Sequence, residues 1–100
     1  MKTINIADEQ HGYALADRGT FIKYDAGLKG KEGLVIICEG DPELLNKYSV
    51  IAVNPEKHPD VKFDLANKYI EWITSPKVQK DIADFKVEGK ALFTPDADAK

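Results

Sequence analysis

The chain has 100 residues, 43% of them hydrophobic and 31% charged, which is a globular rather than a disordered composition. Lysine plus arginine number 14 against 17 acids, so the net charge of −3 gives no basic footprint for nucleic acid or an anionic membrane. The longest apolar run, Leu34–Cys38, is too short to span a bilayer, and a single cysteine excludes an internal disulfide framework.

The predicted elements follow from apolar spacing. Met1 to Gln10 reads as a short helix with Met1, Ile4 and Ala7 on one face, ended by Gly12. Polar residues follow Met1, so no signal peptide is expected here. Tyr13–Ala16 reads as an extended segment, and Asp17 as an N-cap for a helical turn over Arg18–Lys23. Gly27 to Gly33 reads as a turn-rich loop. Its glycines precede a strand rather than follow one, and no Gly-Lys-Ser/Thr is present, so it is not a phosphate cradle.

Leu34 to Cys38 is a continuous apolar run of strand length, suited to a strand covered on both faces. Cys38 inside it reads as core. Asp41-Pro42 is a cap and first helical residue for one turn through Leu44 and Leu45. Tyr48 to Val53 is a second strand, stopped by Asn54-Pro55. Pro59-Asp60 opens the most regular helix, with Val61, Leu65, Tyr69 and Trp72 on one stripe. Tyr69 and Trp72 on that stripe read as core rather than ligand stackers. Ser75-Pro76 opens a last helix carrying Val78, Ile82 and Phe85. Glu88-Gly89 is a turn, Ala91–Phe93 an extended piece, and Thr94–Lys100 a frayed tail.

The order is α/β. A chain of this size is expected to bury roughly two-thirds of its unfolded surface around one modest core. Residues 39–48 are too few for a crossover helix between the two strongest strands, which are therefore antiparallel neighbours or members of different units.

Among chemistry-bearing residues, His11 and His58 lack a second ligand at metal spacing and read as surface or capping residues. Glu39 and Asp41 form an acidic pair better explained by the Asp41 cap than by acid–base work. Asp17-Arg18-Gly19-Thr20 combines a cap, a planar fork of donors, a glycine and a hydroxyl at a helix start, where free N–H groups favour small anions. The bland reading of the same residues is a capped turn with a surface ion pair.

The string Gly12-Tyr13-Ala14-Leu15-Ala16-Asp17-Arg18-Gly19-Thr20-Phe21 resembles Ala-Tyr-Thr-Leu-Thr-Asp-Arg-Gly-Thr-Tyr of the tungstate-binding proteins of bacterial ABC importers. Glu39–Pro42, Tyr48–Pro55, Lys57–Pro59, Trp72–Pro76 with Gln79, Ile82–Phe85 and Gly89 are similar to motifs of that family in the same order.

The resemblance implies part of a type II periplasmic binding-protein fold, α/β with mixed sheet segments packed with helices. Residues 1–48 would belong to the second ligand-binding lobe, 49–54 to a hinge strand, 55–95 to C-terminal helices packing on the first lobe, and 96–100 to a tail. It implies a periplasmic or other extracytoplasmic location, and a binding protein rather than an enzyme. Its partners would be a tungstate or molybdate oxyanion and the importer's membrane permease, with no nucleic acid and no cofactor. The oxyanion cleft would include Tyr13, Ala16, Asp17 and Arg18. Ala14 and Ala16 stand where the family has threonines, so two hydroxyl donors are replaced, and the family's other anion-binding motifs are absent from the chain. A half-fold would also leave apolar faces uncovered, such as Val61, Leu65 and Trp72, so the alternative from a different functional class is a stand-alone interaction or oligomerisation module with no ligand binding of its own, for instance a homodimer of the fragment.

Overall fold

The computed structural model describes residues 1–97. Helix α1 spans Lys2–Glu9 and ends in a left-handed cap. The N–H of Gly12 donates to the Ala7 carbonyl at 2.8 Å and that of His11 to Asp8 at 3.2 Å. The residue that turns the chain is His11, at φ 55°, rather than the following glycine.

Helix α2, Arg18–Leu28, is longer than the single turn expected. Its Asp17 cap forms as read, and the helix runs through Gly27 before Lys29 (φ 51°) and Gly30 (φ 83°) reverse the chain. Helix α1 packs on α2, and Ile4 and Ala7 of the one and Ile22 and Tyr24 of the other are the buried side chains of the N-terminal half.

Beyond α2 the chain departs most from expectation. Neither Leu34–Cys38 nor Tyr48–Val53 pairs into a ladder among the described residues. Val35 and Ile37 are each 74% exposed, Ile51 is exposed, and Cys38 is a free, exposed thiol rather than a core residue. The physical reason is the absence of partners: a strand run becomes a strand only when a neighbouring segment takes its N–H and C=O groups. Between the two runs, Asp41 caps a short 3₁₀ turn, Pro42–Leu44, accepting from the Glu43 N–H at 2.8 Å.

Helix α3 spans Phe63–Ile73, four residues later than Pro59-Asp60 would start it. Residues 55–61 form turns instead, with the His58 N–H donating to Asn54 and the Val61 N–H to His58. Helix α4 spans Pro76–Asp84. The Ser75 hydroxyl donates to the Trp72 carbonyl at 2.7 Å and accepts from the Val78 N–H, so one side chain closes α3 and opens α4. Gln79 Nε2 donates to the Ile73 carbonyl at 2.8 Å and fixes the angle of this corner. Tyr69 and Trp72 lie against each other with rings tilted by 41° and centroids 5.6 Å apart but remain about half exposed, so the expected core face of α3 is uncovered.

Strands β1 (Lys86–Val87) and β2 (Lys90–Ala91) form an antiparallel hairpin, the one ladder among the described residues. Glu88 (φ 53°) and Gly89 (φ 73°) are both left-handed, the two-residue turn whose twist matches a hairpin. The following segment ties the two halves of the chain together. Leu92 approaches Gly19 at the start of α2, and Phe93 packs edge-on to Tyr48 with centroids 6.2 Å apart. The Ala97 N–H donates to Gln79 Oε1 at 3.1 Å, and Lys47 lies 3.9 Å from Asp96. Residues 94–97, read as a frayed tail, are therefore anchored; 98–100 lie outside the described residues.

The whole is open. The radius of gyration is 18.1 Å, against about 13 Å for a compact chain of this length. The accessible surface is 8702 Å², against about 5,700 Å² expected of a compact domain of this mass. The single modest core of the sequence reading is replaced by two small helix pairs, α1 with α2 and α3 with α4.

Candidate functional site

The start of α2 is built by its own sequence. The first N–H groups of a helix have no intrahelical acceptor, and Asp17 takes one of them. Its carboxylate accepts from the Thr20 hydroxyl at 2.6 Å and from the Thr20 N–H at 3.0 Å. The Thr20 hydroxyl first, and then the backbone donor, hold the Asp17 carboxyl below its ordinary value, so it is ionised at neutral pH. The Gly19 position leaves room for Leu92 to approach this end of the helix.

Arg18, the first residue of α2, does not project freely. Its Nη2 lies 3.0 Å from Glu39 Oε2, with both side chains about half exposed. The pair lines a shallow recess of about 370 Å³ together with Phe21, Ile22, Ile36, Lys90 and Ala91. Lys90 is in turn 3.8 Å from Asp25, so the two cations of the recess each have a carboxylate neighbour.

The segment that brings Glu39 here is tethered at its other end too. The Leu34 N–H donates to the Tyr24 hydroxyl at 2.8 Å. The tether needs Gly33: a Cβ there would meet Tyr24 Oη and Leu28 Cδ1 at 2.5 Å. Burial pushes the Tyr24 hydroxyl above its ordinary value, so it stays a neutral hydrogen-bonding group.

Of the residues expected at the site, Arg18 lines the recess with Glu39 and Lys90, while Asp17 caps α2 and does not line it. Tyr13 is 91% exposed and Ala16 is exposed; neither lines the recess. Glu39 and Lys90 were not singled out as site residues by sequence. Glu39 had a motif to mark it but no sign of its partner. Lys90 reaches the recess only because the Glu88-Gly89 turn folds β2 back toward α2. His11 and His58 are both exposed, and no cluster of metal-ligating side chains occurs among the described residues.

A family model described as a PBP superfamily domain matches residues 1–77. The chain belongs to the PBP superfamily. The α/β character read from the sequence stands in this sense: the chain is a partial fold of that superfamily, helices with a small antiparallel sheet. It is 52% identical over 97% of its length to the tungstate-binding protein TupA of Campylobacter jejuni, and 43% identical over 94% to TupA of Peptoclostridium acidaminophilum. The solved structure of the tungstate-binding protein TupA from Desulfovibrio alaskensis G20 is 55% identical and covers 94% of the chain with a TM-score of 0.84. The chain spans 36% and 32% of the two sequence relatives and 38% of the solved one, so about a third of their length. The open path of this chain is thus also the path taken inside a much longer PBP superfamily protein.

Proposed function

We propose that this chain is part of the oxyanion-binding component of an ABC import system, with tungstate as the ligand and molybdate as its nearest chemical competitor. The observation that carries the reading is 52% identity to a tungstate-binding protein over nearly the whole chain. A Haloferax volcanii protein named for ABC-transporter anion binding, 38% identical over 95% of the chain, supports the importer context. The reading is of binding and release, with no covalent step. The protein would work outside the cytoplasm and deliver its anion to a membrane permease.

In this reading residues 1–48 are part of the second ligand-binding lobe, 49–54 the hinge, and 55–95 the helices that pack on the first lobe. Tyr13, Ala16, Asp17 and Arg18 then line the cleft. Asp17 is a cap rather than a ligand, since a carboxylate repels an oxyanion. Arg18 and the first N–H groups of α2 are the donors. Glu39 neutralises Arg18 in the open form, and an anion must displace it. Closure removes water and strengthens each donor, and the closed form is the one an importer recognises.

Isothermal titration of a polypeptide of the relatives' length carrying this chain is expected to give tight tungstate binding with sulfate and phosphate far weaker. Equal affinity for all of them sinks the assignment. The 100-residue chain alone is expected to bind tungstate no better than millimolar, because Arg18 is already paired and few other donors converge on it.

A second reading is favoured by the exposure of Val35, Ile37, Leu65, Tyr69 and Trp72: as an isolated chain the protein self-associates through its uncovered apolar surface. Sedimentation velocity at about 100 µM tests it. A monomer with no concentration dependence counts against it.

A further inference from the structure

We propose that residues 85–97 form a clasp, rooted on α4 and latched on α2, that sets the spacing of the two helix pairs and opens as a unit.

The covalent link between the pairs is loose. Residues 46–53 make no backbone hydrogen bond among the described residues. A flexible segment of that length leaves its ends free over about 15 Å. No hydrogen bond, ion pair or ring contact joins α1 or α2 directly to α3 or α4 among the described residues. Residues 90–97 supply the crossing contacts instead.

These residues close a loop. The chain leaves α4 at Asp84, passes through the hairpin to α2 and returns to α4, where the Ala97 N–H donates to Gln79 Oε1 at 3.1 Å. Gln79 is itself held by its bond to the Ile73 carbonyl, so the root is a fixed acceptor. At the far end Lys90 lies 3.8 Å from Asp25, and a Cβ on Gly19 would stand 3.7 Å from Leu92 Cδ1. Phe93 meets Tyr48 edge-on and Asp96 reaches Lys47, so the clasp also pins the link itself.

The exposed ion pairs of the clasp contribute little, so the latch is carried by the apolar and ring contacts of Leu92 and Phe93. The left-handed turn at Glu88-Gly89 shapes the loop in advance, and latching then orders few further residues. The latch releases at Leu92 and Phe93 with the loop still folded on α4. Lys90 and Ala91 line the recess with Arg18 and Glu39, so the recess is complete only while the clasp is latched.

The chain carries its own pair of reporters. Trp72 is its single tryptophan, on α3, and Cys38 its single thiol, exposed on the segment tied to α2. Energy transfer from Trp72 to an aminonaphthalene sulfonate on Cys38, read from donor lifetimes in dilute solution, reports the distribution of distances between the halves. The native chain should give a narrow distribution. Leu92→Ala/Phe93→Ala should widen it roughly twofold with helicity unchanged, since only the link then sets the spacing. Tyr48 lies outside every helix, so Tyr48→Ala removes the ring contact without touching them and should also widen the distribution. Tyr48→Ala/Phe93→Ala should widen it no more than Phe93→Ala alone, because one shared contact is lost once. A distribution as narrow in Leu92→Ala/Phe93→Ala and Tyr48→Ala as in the native chain, or a native one as wide as theirs, overturns the clasp.

Discussion

Asp17 shows how much one side chain settles locally. It accepts both the Thr20 hydroxyl and the Thr20 N–H, and its carboxyl is held below the ordinary carboxylate value as a result. A depressed folded value means that its contribution is complete above the unfolded value of about 4 and is lost as pH falls through the folded one. Asp17→Ala should lower the stability of α2 by about 1 kcal/mol at neutral pH, read by denaturant titration of helicity. Asp17→Asn keeps an oxygen acceptor, so it should cost little at neutral pH and remove the acid-range slope below about pH 4. The Tyr24–Leu34 tether gives a second residue-scale test. Tyr24→Phe should cost about 1 kcal/mol by removing one hydrogen-bond acceptor. Gly33→Ala should cost about 1–3 kcal/mol, because the new methyl displaces the buried Tyr24 hydroxyl and the Leu28 side chain together. A Gly33→Ala chain with unchanged Leu34 amide exchange would show that the close approach does not hold the segment. His11 carries a left-handed conformation unfavourable to a side chain, so His11→Gly should stabilise the end of α1 by several tenths of a kcal/mol.

At the scale of elements, what was legible in the sequence depended on how far away the partner lay. The Asp17, Asp41 and Ser75 caps were all visible, because a cap is completed by an N–H two or three residues on. So was the Glu88-Gly89 turn, although the strand pair Lys86–Val87 and Lys90–Ala91 that it joins was not. Apolar spacing also identified α1, α3 and α4, although α3 begins at Phe63 rather than at Pro59. The two strongest strand signals failed for the opposite reason. Leu34–Cys38 and Tyr48–Val53 have the composition of buried strands, but a ladder needs a partner whose position composition does not specify. Native-state hydrogen exchange should make this visible. Amides in α2, α3 and α4 should be protected, while those of 49–53 exchange near the unprotected rate in the monomer. Protection of 49–53 equal to that of α4 would mean that this run does find a ladder partner.

At the scale of the whole molecule, the surplus surface of roughly 3,000 Å² over a compact domain is comparable to a large permanent interface. The same path is kept in a solved relative at TM-score 0.84, where the chain makes up 38% of the whole. Together these point to a segment shaped to lie against more polypeptide, whether from the same protein or a second copy. Small-angle scattering of the monomer should give a radius of gyration near 18 Å rather than about 13 Å. Supplying the remaining polypeptide of the relatives' length as a separate chain should lower the exposure of Val35, Ile37 and Trp72, read by Trp72 fluorescence and amide exchange. No change in either on mixing would mean that the exposed faces are not docking surfaces for it.

The sequence by itself determined the caps, the turn at Glu88-Gly89, three of the four helices and the order of motifs that resembles the tungstate-binding proteins. Each is a matter of residue type at short spacing, where the interacting groups are neighbours in the chain. Tertiary structure alone decided that Arg18 pairs with Glu39, that Lys90 reaches the same recess, that Cys38 is exposed and that two strand-like runs stay unpaired. Those outcomes depend on groups far apart in sequence, and on whether any partner is present to meet them. Local hydrogen bonds are closed by the chain itself, whereas burial and strand pairing require a second surface.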